Sequence, residues 1–224
     1  MTGDNYFQFL KSLNELDYKI RFASGYPDDC QSLPLPGFVG KNYLSKRILF
    51  IGQSPGQPGP RQDDGYWAGE HHYNKNLGVS ELRKHYFQGL VRCNIGLFVK
   101  NLISQCGLSF DDIAFTNVVK CAIKNNNFPS QRTIDFWTPY LQEQLVLLKP
   151  RLVVCLGRLA KDFFGKNINF FDVIVQKMIF NPHTTTIILS LPHPAYITRK
   201  SIDLLEKSRE KFREAYKKVM LFDG

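Results

Sequence analysis

The chain has no uninterrupted apolar stretch approaching the ~20 residues needed to cross a bilayer, so no membrane partner is expected. It has no CxxC pair. Its five cysteines, Cys30, Cys93, Cys106, Cys121 and Cys155, are scattered, which excludes a disulfide-dense framework and predicts reduced thiols. No basic segment followed by an apolar one opens the sequence "MTGDNYFQFLKSL", so no export is expected, and an intracellular location (cytoplasm, nucleoid or nucleus) follows. Neither GxxxxGK[ST] nor GxGxxG occurs, which disfavours the standard nucleotide-phosphate loops. No Ser–His–Asp order is suggested. Negative charge is also in short supply: 29 Lys and Arg face 20 Asp and Glu, a formal charge of +9. That surplus favours a phosphate-bearing partner, because cations on a protein release counterions condensed on nucleic acid, although basic proteins of other kinds are common.

What is present reads as one globular domain over residues 1–224, with a helical and loop extension at about 1–45; 43% of residues are hydrophobic and 22% charged. Apolar runs at 47–51 (RILFI), 113–119 (IAFTNVV), 152–156 (LVVCL) and 185–191 (TTIILSL) are continuous and rich in β-branched residues, as in strands buried on both faces. Helical patterning is expected over 4–21, in one or two helices over 80–107, and over 130–148, 157–165 and 201–220. Residues 25–45, with three prolines and three glycines, read as a loop. The alternation predicts an α/β sandwich on a mostly parallel sheet. Ligands of such folds bind beyond the carboxyl ends of the strands, so three strand-end segments form the expected cleft: "GQSPGQPGP", "TNVVKC" and "LPHPAYITRK".

Each segment carries chemistry that can be weighed. His193 stands between two prolines; turn chemistry alone would place a loop histidine, but the paired prolines fix its backbone and so present the imidazole rigidly. Asn117 ends a strand, where an amide caps its own backbone as readily as it reads a nucleobase edge with one acceptor and two donors. "DDGYWAGEHHY" (63–73) crowds aromatics around glycines; such side chains are usually partial core, yet a loop Trp is also a base-stacking platform. Its two histidines lack a third ligand at metal-site spacing, so no metal is expected. Thr198, Arg199 and Lys200 suit phosphates.

Taken in order, "GQSPG", "GYWAG", "TNVVKC", "PYLQEQLVLLKPRLVVCLGRLA" and "HPAYITR" resemble the uracil-DNA glycosylase superfamily, nearest to its family-4 type, from about residue 46 to 218. The resemblance implies a three-layer α/β/α sandwich with a four-stranded mostly parallel sheet. It implies a pocket for a base flipped out of DNA, and excision of uracil or a related deaminated base. Asn117 would bond the polar edge of that base, and Trp67, or beside it Tyr66, would stack on its ring. His193 would stabilise the anionic leaving base. Gln53 and Ser54 would hold the sugar and the attacking water, with Gly52, Pro55 and Gly56 shaping the loop. Pro194, Ala195, Tyr196, Ile197, Thr198, Arg199 and Lys200 would contact DNA, Ile197 as a wedge in the minor groove. A monomer acting on DNA is expected.

Two departures qualify this. Family-4 enzymes hold an iron–sulfur cluster on four cysteines, but here Trp137 stands where a ligand would follow Cys121, and Cys30 is alone; no cofactor is expected. The resemblance also places glutamate at the position of Gln53, or in the family-1 type aspartate at that of Ser54. Both are neutral here, so water would be positioned without a carboxylate, and a catalytically silent DNA- or uracil-binding module stands as the alternative.

Overall fold

The computed structural model describes residues 3–56, 79–178, 181–200 and 202–221. In chain order its elements are α1 (Gly3–Arg21), β1 (Phe38–Val39), α2 (Tyr43–Lys46), β2 (Ile48–Gly52), α3 (Val79–Leu90), α4 (Asn94–Ser104), β3 (Ile113–Asn117), α5 (Gln131–Leu148), β4 (Leu152–Leu156), α6 (Arg158–Phe164), β5 (Val173–Met178), β6 (Asn181–Leu191), α7 (Pro194–Lys200) and α8 (Ile202–Leu221). They fall into two compact units.

One unit, residues 38–53, 90–116 and 149–224, carries a six-stranded sheet in the order β1-β3-β2-β4-β6-β5. β2 pairs with β4 and β4 with β6 in parallel, while β1 with β3 and β5 with β6 are antiparallel. The sheet is therefore mixed, and it has two more strands than the four-stranded, mostly parallel sheet expected. The additions are edge strands. β1 is two residues inside the proline- and glycine-rich segment, joined to β3 at Phe38↔Phe115. β5 leaves Val175 half exposed, and its apolar run stops after Val173–Val175, shorter than that of a central strand.

Every residue of β2, β3 and β4 is buried, because apolar side chains on both faces of the pleat find cover. α6 packs on β2 and β4, α8 on β4, β5 and β6, and Phe50 of β2 stacks on Phe212 of α8 at 5.8 Å. Burying a side chain such as Val154 contributes ~1.5–3 kcal/mol. The registers Ile51↔Cys155 and Cys155↔Ser190 make β2, β4 and β6 end level at one edge, which lines up Gln53, Gly157 and the segment beginning at Pro192.

The other unit, residues 1–37, 54–89 and 117–148, packs α1 against α5, with Lys19 Nζ 2.6 Å from Glu143 Oε1. α5 starts where Ser130 Oγ accepts from Thr133 N at 3.2 Å and Asp29 Oδ2 accepts from Ser130 N at 3.1 Å. These side chains satisfy backbone donors that have no partner within the helix. The loop 22–37 is tied to the segment after β3 by Gln31 N→Ala122 O at 2.8 Å and Leu35 N→Lys120 O at 2.7 Å. A disulfide joins Cys30 to Cys121, with Cα atoms 5.5 Å apart. The expectation of reduced thiols is overturned at this pair. A sequence separation of 91 residues hides such an encounter, which only the fold can bring about.

Candidate active site

In the sheet-bearing unit, the site begins at the level strand ends. Gly157 follows β4 with φ +97°, a conformation costly for residues with a Cβ. Its N–H donates to Leu191 O at 2.8 Å, holding the end of β6 beside it. A Cβ at Gly157 would lie 3.4 Å from His193 Cβ and 3.5 Å from His193 Cδ2, ordinary van der Waals contact, so it is the positive φ, rather than want of space, that reserves the position beside the imidazole for glycine. His193 is exposed, between buried Pro192 and Pro194. Its Nδ1 accepts from Ala195 N at 3.2 Å. In the neutral ring the proton therefore sits on Nε2, which becomes a donor. Partial loss of solvent holds the His193 pKa below the usual 6.5 and favours this neutral form.

The segment after His193 is helix α7 rather than the expected loop. Pro194 fits the first helical turn, where its missing N–H costs nothing, and the His193 carbonyl accepts from Tyr196 N at 2.8 Å and Ile197 N at 3.2 Å. Ile197 is 1% exposed, so it is a core side chain and not the groove wedge expected. Tyr196, 53% exposed, is the apolar side chain that α7 offers to solvent. Ala195 is half-buried, and Thr198, Arg199 and Lys200 occupy the last turn of α7. Gly52 is buried and Gln53 half-buried.

In the other unit Ser54 is half-buried, Pro55 buried and Gly56 exposed. Asn117 is 3% exposed, and its Nδ2 donates to Tyr86 Oη at 3.2 Å. Among the described residues its Oδ1 has no protein donor. The Asn117 carbonyl accepts from Lys120 Nζ at 2.5 Å, and the same ammonium reaches Gln144 Oε1 at 2.6 Å. Gln144 in turn donates from Nε2 to Pro36 O at 2.7 Å. Asp17, also buried, meets Arg83 Nε at 2.5 Å. Burial raises the Asp17 carboxyl to about 6, with Arg83 and Lys120 pulling the other way. Burial likewise lowers Lys120 to about 7, against the pull of Asp17.

Sequence reasoning found Asn117 but missed Tyr86, Lys120, Gln144, Asp17 and Arg83. The one available signal was a lone cation within the apolar run "NVVKCAI". The expectations for Tyr66 and Trp67 lie outside the described residues.

A four-thiolate cluster does not fit the cysteines of this chain. With Cys30 and Cys121 bonded to each other, three free thiols remain, Cys93, Cys106 and Cys155, one short of the four a cluster takes, and Trp137 is fully buried. Among the described residues no group of three His, Cys, Asp or Glu is placed to hold a metal ion.

A mixed α/β sheet with a neutral, donor-bearing histidine at its strand ends defines a class of site suited to stabilising a developing anion. The uracil DNA glycosylase superfamily model matches residues 40–219, and the chain belongs to that superfamily, a family of DNA-repair glycosidases. Similar proteins include the type-4 uracil-DNA glycosylases of Archaeoglobus fulgidus, 29% identical over 126 residues (56% of this chain, 49% of that enzyme), and of Saccharolobus solfataricus, 28% identical over 131 residues (58% and 49%). That of Sulfurisphaera tokodaii is 25% identical over 183 residues, 78% of this chain and 72% of the relative. The match to the first two spans about half of their length.

Proposed function

We propose that this protein is a monofunctional DNA glycosylase that hydrolyses the N-glycosidic bond of uracil, or a related deaminated base, flipped out of DNA. The observation that carries the reading is the His193 ring, neutral and held by Ala195 N–H so that Nε2 donates. Breaking the bond leaves an oxocarbenium-like sugar and an anionic base, and a fixed donor facing the base oxygen lowers that barrier. With one Nδ2 hydrogen on Tyr86, Asn117 retains one N–H and Oδ1. That donor–acceptor pair complements a carbonyl beside a ring N–H. Uracil presents that edge, as do hypoxanthine and xanthine; cytosine and adenine do not.

Gln53 and Ser54 hold the water and the sugar, with Gly52, Pro55 and Gly56 giving the loop its path. Trp67 or Tyr66 stacks on the base, repaying part of the few kcal/mol that flipping costs. Arg199 and Lys200, with Thr198, Ala195 and exposed Tyr196, meet the DNA backbone. The buried central strands and the helices packed on them support the three-layer α/β/α arrangement. The protein acts as a monomer, and no step is routed through a metal or cluster. Two neutral side chains where relatives carry a carboxylate give slower turnover, since general-base assistance is worth roughly 10²–10⁴-fold.

The test is single-turnover release from oligonucleotides carrying uracil, hypoxanthine or xanthine, with protein in excess. Release of one base supports the enzyme. Tight, salt-sensitive binding without release supports the second reading, a silent binding module, which the missing carboxylate motivates.

A further inference from the structure

We propose that Lys120 is a positioning residue for Asn117: its buried ammonium anchors the Asn117 carbonyl while Tyr86 anchors the side-chain amide, so that the base-reading atoms are held at both ends. The proposal rests on the reading of Asn117 given above.

Lys120 is completely buried, and removing an ammonium from water costs several kcal/mol unless it is well partnered. Its partners are specific. It donates to Asn117 O at 2.5 Å and Gln144 Oε1 at 2.6 Å, and the Gln144 amide is itself fixed to the Pro36 carbonyl at 2.7 Å. The reach back from position 120 closes the bend just where β3 stops, through a side chain. Asp17 lies near enough to act on the Lys120 charge and is itself paired with Arg83. Arg21, a buried cation at the end of α1, donates to the Pro34 carbonyl at 3.2 Å. Lys120 thus draws together α1, α5 and the loop before β1, and one of its hydrogen bonds falls on the residue to which base reading is assigned above.

The expected effect follows from orientation: a displacement of about 1 Å in a reacting group costs up to ~10²-fold. Lys120→Met keeps the stem and removes the donor. It should slow single-turnover uracil excision by about 10–100-fold and leave the affinity for an abasic duplex within about twofold. In an Asn117→Ala background the same change should add nothing, because its effect passes through the amide. Equal losses in both backgrounds would overturn the proposal and leave Lys120 a core residue.

Should Lys120→Met fail to fold, Gln144→Met, which removes the second acceptor, is read in the same cycle with the same two outcomes. If the wild type releases no base, the glycosylase reading fails separately. The cycle is then read on affinity for a uracil-containing strand relative to its cytosine counterpart: coupling to Asn117 supports the positioning role, and its absence refutes it.

Discussion

In the sheet-bearing unit His193 is held by backbone devices: a glycine at φ +97° beside it, prolines on both sides, and one amide N–H on Nδ1. In the other unit Asn117 is held by side chains, through a buried phenol, an ammonium and a second amide, with a carboxylate and a guanidinium behind them. The first arrangement carries no buried charge and leaves its histidine exposed to solvent. The second takes several polar groups out of water and depends on each having a partner, since a half-satisfied buried network is worse than none. The backbone version should therefore be sensitive chiefly to shape, with pH entering only where the His193 ring takes up a proton below its ordinary range, and the side-chain version chiefly to the pH at which its buried groups titrate.

The sharpest way to break that comparison is at His193. Replacing it with alanine should reduce excision by about 10²–10³-fold, the range for losing one preorganised donor, with DNA affinity within about twofold. Equal loss of both would remove the catalytic assignment.

Next in size is the Cys30–Cys121 bond. Closing so long a loop restricts the unfolded chain, and replacing both cysteines with serine should cost about 2–4 kcal/mol in chemical denaturation. A double variant as stable as the reduced wild type but less stable than the oxidised one would confirm the bond. No difference between oxidised and reduced protein would refute it.

A smaller effect is expected at Gly157. Alanine there must adopt a positive-φ backbone at a cost of ~1–3 kcal/mol, and relief of that strain would shift the turn that carries His193. Excision should fall about tenfold while Asn117-dependent base discrimination stays intact. A change in discrimination would mean that the two devices are not separate.

The last prediction concerns pH. Lys120 holds its proton only to about 7 in the folded state, against 10.5 ordinarily. Between those values the unfolded chain binds the extra proton, so the Lys120 contribution to stability rises with pH across that window. Asp17, raised from 3.8 to about 6, works the other way, and its contribution falls as pH rises through that range. Urea midpoints of the wild type minus those of Lys120→Met should therefore climb from pH 7 to 10; a flat difference would show that Lys120 stays charged in the fold.

Much of this was legible in the residues. β2, β3, β4 and β6 announce themselves as continuous apolar runs, and α5 and α8 by their apolar stripes, because central strands and core-facing helices must bury those surfaces wherever the chain goes. β5 was not, since an edge strand needs cover on fewer sides, and its apolar run, Val173–Val175, gives way at once to Gln176 and Lys177. α7 had a signal that went unused: a proline directly after His193 starts a helix as well as it shapes a loop. Asn117 and His193 stood out as unusual polar residues at strand ends. What holds them did not. Tyr86 and Gln144 sit on ordinary helices, and nothing local distinguishes a lysine that will be buried from one that will be solvated. Their meaning comes from the chain returning to the same place from positions 17, 36, 86, 120 and 144.

The Cys30–Cys121 bond has a topological corollary. It makes the backbone between its two ends a closed covalent ring, of which β1, α2, β2, α3, α4 and β3 are parts. A protease that cuts once anywhere between residues 31 and 120 would open the ring without dividing the molecule. Under denaturing conditions the nicked protein would run at its full mass until a reductant was added, and only then as two fragments.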